Sequence, residues 1–374
     1  MTATPPDAPR TIGLAAGGTG GHLFPAEALA RALVARGHGV VIYTDRRGAD
    51  YKAALEGLPH LVLPARSLAG GMAGKAAAAW TIARAALQAR AHMKRRTVAL
   101  LAGFGGYPSF APALAAKSLG LPLLLHEQAT RLSLANRQLL RFADRLAVSF
   151  PRIEGVGAFD AARIVETGNP VRQAILDARA EYTGIEPDGP LRLLVVGGSQ
   201  GARVFGEVVP AALLALPDAL RRRVQLSLQY KGDDVDALSA RLRAMGIEVE
   251  LRPFFDDMGP RLRDAHLVVT RAGASTIADL LTIGRPAIFV PIPHGGSRVE
   301  QRGNADTLAA AGAGWCVPEP ELTPERLCAL LAELLAAPER LADAAEAARA
   351  MGRADAAERL ADAVESLLPR ASKR

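Results

Sequence analysis

One pattern occurs twice in this chain of 374 residues, and it constrains the fold more than any other feature. The apolar run Thr11–Ala16 ends at Gly17-Gly-Thr-Gly-Gly21, and the apolar run Leu191–Val196 ends at Gly197-Gly-Ser-Gln-Gly201, with the second turn 180 residues after the first. An apolar strand, a glycine turn and a helical pattern, in that order, are typical of a parallel α/β unit. The sequence therefore predicts an α/β protein with two domains of about equal size, each opening with a strand and a GG[S/T]xG turn.

Other apolar runs divide the chain between these two domains. Boundaries are predicted at 1–170 and 171–345, with the join near Gly168-Asn-Pro170, and helices over 346–374 that pack back towards the first domain. In open parallel sheets, ligands bind outside the carboxyl ends of the strands, so two such sheets facing each other would form a cleft. The further strands are predicted at Val40–Thr44, Val98–Ala102, Pro122–Leu125, Leu146–Ser149, Gln225–Gln229, Glu248–Leu251, Leu267–Thr270 and Ala287–Val290.

Charge is distributed unevenly along the chain. The formal net charge is +7, yet residues 1–170 contain 20 basic and 10 acidic residues, whereas residues 171–374 contain 25 and 28. Such asymmetry indicates an anionic partner for the first half: nucleic acid, a membrane surface or phosphate groups. No nucleic-acid-binding motif accompanies the basic residues, which disfavours nucleic acid.

The composition limits the remaining classes. A hydrophobic content of 49% with 22% charged residues is that of a globular protein. The two cysteines, Cys316 and Cys328, suggest thiols in a reducing compartment rather than a disulfide framework or a zinc site. The N-terminus lacks the apolar core of a signal peptide, and the longest charge-free stretch, Thr97–Ala116, is interrupted by glycine and proline. We expect a cytosolic protein, or one attached to a membrane without crossing it.

Three glycine turns follow predicted strands: the two GG[S/T]xG turns and Gly103-Phe-Gly-Gly106. Such turns allow close approach of the backbone to a ligand, and a helix that begins there directs N–H groups at an anion. A phosphate-bearing substrate is therefore predicted. The dinucleotide fingerprint is incomplete from Gly18 onward, and only Asp45, placed where a ribose-binding acid would lie, keeps a dehydrogenase as a distant alternative.

Two titratable residues follow these strands. His22 ends the first glycine turn, where a neutral imidazole can accept a proton near pH 7, although it can equally cap a helix. Glu127 follows another strand and is a second candidate acid or base, or a carboxylate that holds loops together. In a later strand–glycine–helix segment, Asp279 could accept hydrogen bonds from ribose hydroxyls, or lie exposed on its helix.

A set of motifs in fixed order resembles the MurG family of N-acetylglucosaminyltransferases. The resemblance implies the GT-B fold, with two Rossmann-like domains facing each other across a cleft. It also implies transfer of GlcNAc from UDP-GlcNAc to the C4 hydroxyl of the muramoyl sugar of lipid I, with inversion, forming lipid II without a metal or another cofactor. The motifs are Gly17 to Pro25, Gly103 to Tyr107, His126-Glu-Gln128, Gly168 to Arg172, Gly197 to Ala202, Phe255 to Met258, Arg271 to Ala274 and Gln301 to Ala305.

The resemblance also implies roles for individual residues, with His22 as general base, and Glu127 stays the second candidate from its position after a strand. The implied UDP-GlcNAc ligands are Thr19, Gly20, Gly21, Arg172, Ser199, Phe255, Ala274, Ser275, Thr276, Asp279 and Gln301. The implied contacts of the acceptor pyrophosphate are Gly18, Gly103, Gly105, Gly106 and Tyr107. The chain departs from the family at Ala129, where a donor-contacting Asn is usual, at Asp279, where Glu is common, and at Glu300, where a second Gln can occur.

The segment Ser67–Arg96 contains six basic residues and no acidic one. Apolar residues recur along it at helical spacing, which favours either contact with an anionic membrane or packing into the core. Because the implied acceptor is lipid-linked, we expect the membrane contact. The residues predicted to make it are Met72, Lys75, Trp80, Ile82, Arg84 and Leu87, within a stripe that also includes Ala76 and Ala83.

The sequence thus favours a peripheral glycosyltransferase at the cytoplasmic face of the bacterial inner membrane. Its expected partners are UDP-GlcNAc, lipid I and anionic lipid, with cell-wall and division proteins as further candidates and no nucleic acid. Two alternatives remain at this point. One is another GT-B enzyme that uses a UDP-sugar, such as an epimerase or a lipid glycosyltransferase, and the other is a non-catalytic nucleotide-binding scaffold protein.

Overall fold

The computed structural model describes residues 9–66, 71–186, 188–198, 201–295 and 298–368. The described residues within Met1–Arg172 and Arg353–Arg374 form one compact unit, here called unit 1. Those within Gln173–Gly352 form a second, unit 2. The chain therefore leaves unit 1 after Arg172 and returns to it at Arg353, seven residues later than the predicted start of the C-terminal segment at residue 346.

Unit 1 is built on a seven-stranded parallel sheet. Its strands are β1 (Thr11–Ala15), β2 (Gly39–Thr44), β3 (His60–Val62), β4 (Val98–Gly103), β5 (Leu123–Glu127), β6 (Arg145–Val148) and β7 (Ile164–Glu166). They lie in the order β3-β2-β1-β4-β5-β6-β7. The strand order reverses between β1 and β4, and this switch point is where open α/β sheets leave a crevice for a ligand. Because Ala15 pairs with Gly103, the two strands end side by side, and the first two glycine turns are neighbours.

Helices cover both faces of this sheet. They are α1 (Gly20–Ala35), α2 (Arg46–Ala49), α3 (Lys52–Leu55), α4 (Met72–Arg95), α5 (Phe110–Ser118) and α6 (Leu134–Leu139). Alternate strand residues face opposite sides, as in any pleated strand. Leu14 and Leu124 pack into the cluster that includes Leu23 and Leu29 of α1, whereas Leu101 and Leu125 pack into the opposite cluster.

Unit 2 repeats the same topology with six parallel strands. These are β8 (Leu191–Val196), β9 (Val224–Gln229), β10 (Glu248–Arg252), β11 (Leu267–Thr270), β12 (Ala287–Phe289) and β13 (Gly314–Cys316), in the order β10-β9-β8-β11-β12-β13. The switch point lies between β8 and β11, where Val196 pairs with Thr270. The helices are α7 (Gln173–Asp177), α8 (Arg203–Ala215), α9 (Asp218–Arg221), α10 (Val235–Ala244), α11 (Met258–Asp264), α12 (Ala274–Ile283), α13 (Arg298–Ala310), α14 (Pro324–Ala336) and α15 (Glu339–Met351).

The last helix, α16 (Ala356–Glu365), belongs to unit 1. Leu360 and Val364 are fully buried in the cluster beneath α1. Arg36, at the end of α1, donates hydrogen bonds to Asp362 at 2.6 Å and to Glu365 at 2.9 Å. The apolar contacts and these ion pairs together hold α16 on the first unit.

The prediction of two parallel-sheet, Rossmann-like domains is confirmed. Three strands have no counterpart among the predicted runs, namely β3, β7 and β13, and each has three residues and lies at the edge of its sheet. An edge strand buries less apolar surface than a central one, so it needs no continuous apolar run. Within the described residues, no helix combines the length and the apolar character that crossing a bilayer requires.

Candidate active site

The first glycine turn joins β1 to α1 at the switch point of unit 1. Gly18 has φ +85°, a conformation that only glycine adopts without strain. Thr19 is the N-cap of α1, and its side chain does not cap the helix. The sixteen-residue helix therefore begins directly after the turn, with its positive dipole end at the carboxyl edge of the sheet.

The second glycine turn is tied to the end of the first strand. The backbone N–H of Phe104 donates to the carbonyl of Ala15 at 2.9 Å. The Ser109 hydroxyl lies 2.9 Å from the same carbonyl and 2.7 Å from that of Gly105. Gly105 and Gly106 have φ of +82° and +72°. These bonds fix the two turns side by side, as the register of β1 and β4 requires.

The ring of His22 lies between the two turns. A Cβ atom built on Gly105 would stand 3.4 Å from His22 Cδ2, and one on Gly106 would stand 3.7 Å from His22 Cε1. The Nδ1 atom lies 3.3 Å from the Thr19 hydroxyl. Burial lowers the pKa of His22 to about 4, with the Asp45 carboxylate acting in the opposite direction and the Arg47 guanidinium in the same one. The imidazole is therefore neutral at pH 7, and a neutral imidazole can accept a proton.

The carboxylate of Asp45 holds the backbone of the first glycine turn in place. Asp45 follows β2, and its Oδ1 accepts the N–H of Gly18 at 2.8 Å and that of Gly48 at 3.0 Å. Its Oδ2 accepts from Arg47 Nε at 3.2 Å. Asp45 is 5% exposed, so this carboxylate is engaged inside the protein. The role of ribose-binding acid, on which the dehydrogenase alternative depended, would require these bonds to break.

Glu127, the second candidate base, is engaged in a similar way. Its Oε1 accepts the N–H of Ala129 at 3.2 Å, and its Oε2 accepts from the N–H of Ser133 at 2.8 Å and from Asn136 Nδ2 at 2.9 Å. The side chain is 2% exposed, and burial raises the pKa of Glu127. The geometry matches the loop-holding role that the sequence left open beside catalysis.

Asn136 lies seven residues after Ala129, the position where the family Asn is absent, and its amide is held inside the protein. Its Nδ2 donates to the His126 carbonyl at 3.0 Å as well as to Glu127. Because both of these partners are acceptors, the amide orientation is determined, and Oδ1 points elsewhere. This Oδ1 is buried without a hydrogen-bond partner among the described residues.

Two further residues predicted for this half lie at the edge of the same region. The Arg172 guanidinium stands 4.4 Å above the ring of Phe24, a residue of α1. Tyr107 follows the second glycine turn directly and is partly exposed.

The third glycine turn occupies the corresponding position in unit 2, directly after β8 at the switch point of the sheet. Gly198 and Gly201 have φ of +79° and +78°. The N–H of Gly197 donates to Gln229 Oε1 at 2.9 Å, and a Cβ on Gly197 would overlap the backbone of Gly201 and Ala202. Ser199, predicted to meet the donor phosphates, lies outside the described residues.

The other predicted donor residues surround the start of α12. Gly273 is the N-cap, and Ala274, Ser275, Thr276 and Asp279 are partly exposed at the first turns of the helix. Asn304 Nδ2 donates to the carbonyl of Ala272 at 3.1 Å, which fixes the loop before the helix. Gln301 Oε1 accepts the N–H of Ile292 at 3.1 Å.

Phe255 lies on the loop before α11 in the same unit. It is buried, with the Arg261 guanidinium 4.1 Å from its ring centre. Its side chain therefore serves packing, and only its backbone remains for a ligand. Among the described residues, no group of three or more His, Cys, Asp or Glu side chains is arranged to hold a metal ion.

The predicted membrane segment is the helix α4, and the structure separates its two apolar faces. Trp80 and Leu87 are 73% and 68% exposed, and Ala76 and Ala83 are exposed on the same face. We call these four residues the α4 outer stripe; the charged side chains of Lys75 and Arg84 are exposed beside it.

The opposite face of α4 carries Ala78, Ala85, Ala89 and Met93, all buried in the core of unit 1. Ile82 packs against that core and is not part of the outer stripe, contrary to its predicted place among the membrane residues. The predicted contact of the Met72 side chain lies outside what the structure describes.

Two residues at these sites were not predicted from the sequence. Arg47 lies beside the first glycine turn, and Asn304 fixes the loop before α12. Asn304 is part of the motif Gln301 to Ala305, so a signal for it was present. For Arg47, the available signal was its position among polar residues directly after β2, the strand next to β1.

Comparisons with known proteins cover both units. Residues 12–148 match the glycosyltransferase family 28 N-terminal domain, and residues 192–360 match the family's C-terminal domain. The chain is 49% identical over 354 residues to the UDP-N-acetylglucosamine–N-acetylmuramyl-(pentapeptide) pyrophosphoryl-undecaprenol N-acetylglucosamine transferase of Rhodospirillum centenum, covering 94% of this chain and 93% of that one. The enzyme of the same name from Methylobacterium radiotolerans is 47% identical, with 95% and 96% covered. A crystal structure of Acinetobacter baumannii MurG is similar at 31% identity, with a TM-score of 0.78 and coverage of 96% of this chain and 100% of that one.

Proposed function

The chain belongs to glycosyltransferase family 28, and from this membership we propose that it makes lipid II. The reaction would move N-acetylglucosamine from UDP-GlcNAc to the N-acetylmuramyl-(pentapeptide) pyrophosphoryl-undecaprenol acceptor, lipid I. The observation that carries this proposal is the near-full-length identity of 47–49% to two transferases named for that reaction. The resemblance to the MurG family and the GT-B fold are both confirmed.

Unit 1 has the features that an acceptor site needs. The paired glycine turns at Gly18 and at Gly105-Gly106 lie at the carboxyl edge of the sheet, close to the start of α1, and a helix start of this kind favours a phosphate group. His22 lies between them with a neutral ring. In the proposed step, the C4 hydroxyl of the muramoyl sugar attacks C1 of GlcNAc, and the C1–O bond to UDP breaks. The hydroxyl proton passes to Nε2 of His22, provided that Nδ1 carries the ring hydrogen facing Thr19.

Unit 2 has the features that a nucleotide-sugar site needs. The helix α12 begins at the carboxyl edge of the parallel sheet, with Ser275 and Thr276 in its first turn, and a helix start of this kind offers backbone N–H groups to an anion. Such groups stabilise the negative charge that develops on the departing UDP. We expect Asp279, one turn further along α12, to bind the ribose hydroxyls, and Gln301 to bind the GlcNAc hydroxyls, as the family resemblance implies.

We expect the protein to act as a peripheral protein at the cytoplasmic face of the inner membrane, where cell-wall and division proteins would be its neighbours. The α4 outer stripe supports this, because Trp80 and Leu87 expose apolar surface beside Lys75 and Arg84. An apolar stripe flanked by cations suits an anionic bilayer surface. Sedimentation with anionic liposomes tests it: W80A combined with K75E should reduce binding at least about tenfold. Charge reversal at the exposed Arg203 of unit 2 is the control, and equal binding by both variants would refute the membrane contact.

Transfer of radiolabelled GlcNAc from UDP-GlcNAc to a lipid I analogue is the direct test of the reaction. Formation of the disaccharide lipid is expected, and H22A should lower kcat far more than it lowers donor affinity. Epimerisation or release of UDP without acceptor would favour another UDP-sugar enzyme. Donor binding without any turnover would favour a scaffold protein.

A further inference from the structure

Arg47 lies against the first glycine turn, although it was not among the residues predicted for the site. A Cβ atom built on Gly18 would stand 3.1 Å from Arg47 Nη2, so the guanidinium touches the turn itself. The charge of Arg47 also acts on His22 and lowers the pKa of its ring. One cation therefore lies against Gly18 and acts on His22, whose ring lies close to the second glycine turn.

Asp45 holds the Arg47 side chain in this position. Its Oδ2 accepts from Arg47 Nε at 3.2 Å, while its Oδ1 accepts the N–H groups of Gly18 and Gly48. The same buried carboxylate thus aligns the glycine turn and the guanidinium beside it. Because its oxygens are engaged by three donors, Asp45 opposes an incoming anion less than a bare carboxylate would.

This arrangement contributes little to stability. The Arg47 side chain is 66% exposed, and an exposed ion pair is worth about 0–1 kcal/mol. Within the described residues, Nη1 and Nη2 make no hydrogen bond or ion pair. A guanidinium oriented through Nε presents these two nitrogens as a planar fork, the geometry that binds phosphate oxygens in pairs.

We propose that Arg47 binds the diphosphate of the lipid-linked acceptor through Nη1 and Nη2, and that Asp45 is its positioning residue. The inference rests on the proposed function, which supplies an acceptor with a diphosphate. The donor carries a diphosphate too, and the acceptor is favoured because Arg47 lies against Gly18, which is one of the residues implied to contact the acceptor pyrophosphate.

The variant R47Q tests the proposal, with R46Q as its matched control. Arg46 is the adjacent, exposed residue of the same short helix, so R46Q makes the same charge change without touching Gly18. With a short-chain lipid I analogue in solution, R47Q should raise the KM of the acceptor about tenfold or more, the usual effect of losing a charge-assisted hydrogen bond. The KM of UDP-GlcNAc and the thermal midpoint should stay as in the wild type, and R46Q should change none of these.

A second measurement does not depend on turnover. A short prenyl diphosphate without sugar should bind R47Q about tenfold more weakly than R46Q, whereas a prenyl monophosphate should bind the two with a smaller difference. Equal binding of the diphosphate by both variants would overturn the proposal, and so would a rise in the donor KM instead of the acceptor KM. If the wild type fails to transfer GlcNAc, the proposed function fails, while this binding comparison still decides the role of Arg47.

Discussion

The proton affinity of His22 gives the sharpest prediction about the chemistry. Burial lowers its pKa from the ordinary value of 6.5 to about 4. At about 1.4 kcal/mol per pH unit, this difference of 2.5 units disfavours the imidazolium by about 3 kcal/mol. At pH 7, three units above the lowered pKa, about one molecule in a thousand is protonated before the acceptor binds.

Binding of the acceptor should change this balance. A diphosphate beside the ring brings negative charge, which favours the imidazolium and raises the pKa of His22. At saturating donor, kcat/KM for the acceptor reports the protein before acceptor binds, whereas kcat reports the full complex. We therefore expect kcat/KM to stay flat from pH 8 down to about pH 5, and the acid limb of kcat to lie at higher pH than that of kcat/KM.

Radiolabel transfer measured between pH 5 and 8.5 at constant ionic strength checks both profiles. H22Q should lower kcat by a factor of about 100 to 10,000, the usual contribution of a general base, and should abolish the acid limb of its residual activity. His60, which is exposed at the edge strand β3, provides the control H60Q, and its profiles should match the wild type. An acid limb of kcat/KM near pH 6.5 that disappears in H22Q would refute the effect of burial, and a kcat of H22Q within threefold of the wild type would refute the role of base.

Three stability predictions follow from the packing. G48A should destabilise unit 1 by about 1–3 kcal/mol in chemical denaturation, because the new Cβ would overlap Thr44 Oγ1, and an unchanged midpoint would contradict that overlap. R285M should destabilise unit 2 by about 3 kcal/mol or more in calorimetry. The reason is that the buried guanidinium donates to backbone carbonyls of three segments, Glu181, 262–263 and 283–284. A midpoint like that of the wild type would show that these carbonyls find other donors. L360A should destabilise unit 1 by about 2–5 kcal/mol, since this fully buried side chain holds α16 in the core, and a loss below 1 kcal/mol would contradict that role.

The sequence was sufficient to predict the strands that position the candidate site. All ten predicted strands are present, and each glycine turn follows the strand predicted for it. For most of them this succeeds because a parallel strand that is covered on both faces is largely apolar, whereas β9 and β10 alternate apolar and polar residues. A turn with positive φ favours glycine. The short edge strands β3, β7 and β13 escaped because their environment imposes neither requirement.

The roles of the acidic residues could not be predicted in the same way. Asp45 and Glu127 each follow a strand, where a ligand-binding acid would also stand. In the structure, both carboxylates accept hydrogen bonds from residues of loops and short helices, and one donor to Glu127 is Asn136, nine positions away. Which donors surround a carboxylate depends on how distant loops close over it, and residue spacing does not encode this.

The helix α4 shows the same division between sequence and structure. Its sequence determines a long basic helix with apolar residues at helical spacing, from which one apolar stripe was predicted. Only the tertiary structure decided that Ile82 and Met93 face the core while Trp80 and Leu87 face outward. The sequence alone determined the repeated strand and glycine turn, because a run of apolar residues and a glycine at a position of positive φ are both visible in the local sequence. The orientation of α4 and the placement of Arg47 beside Gly18 depend on contacts between segments far apart in the chain, and these exist only once the sheet has formed.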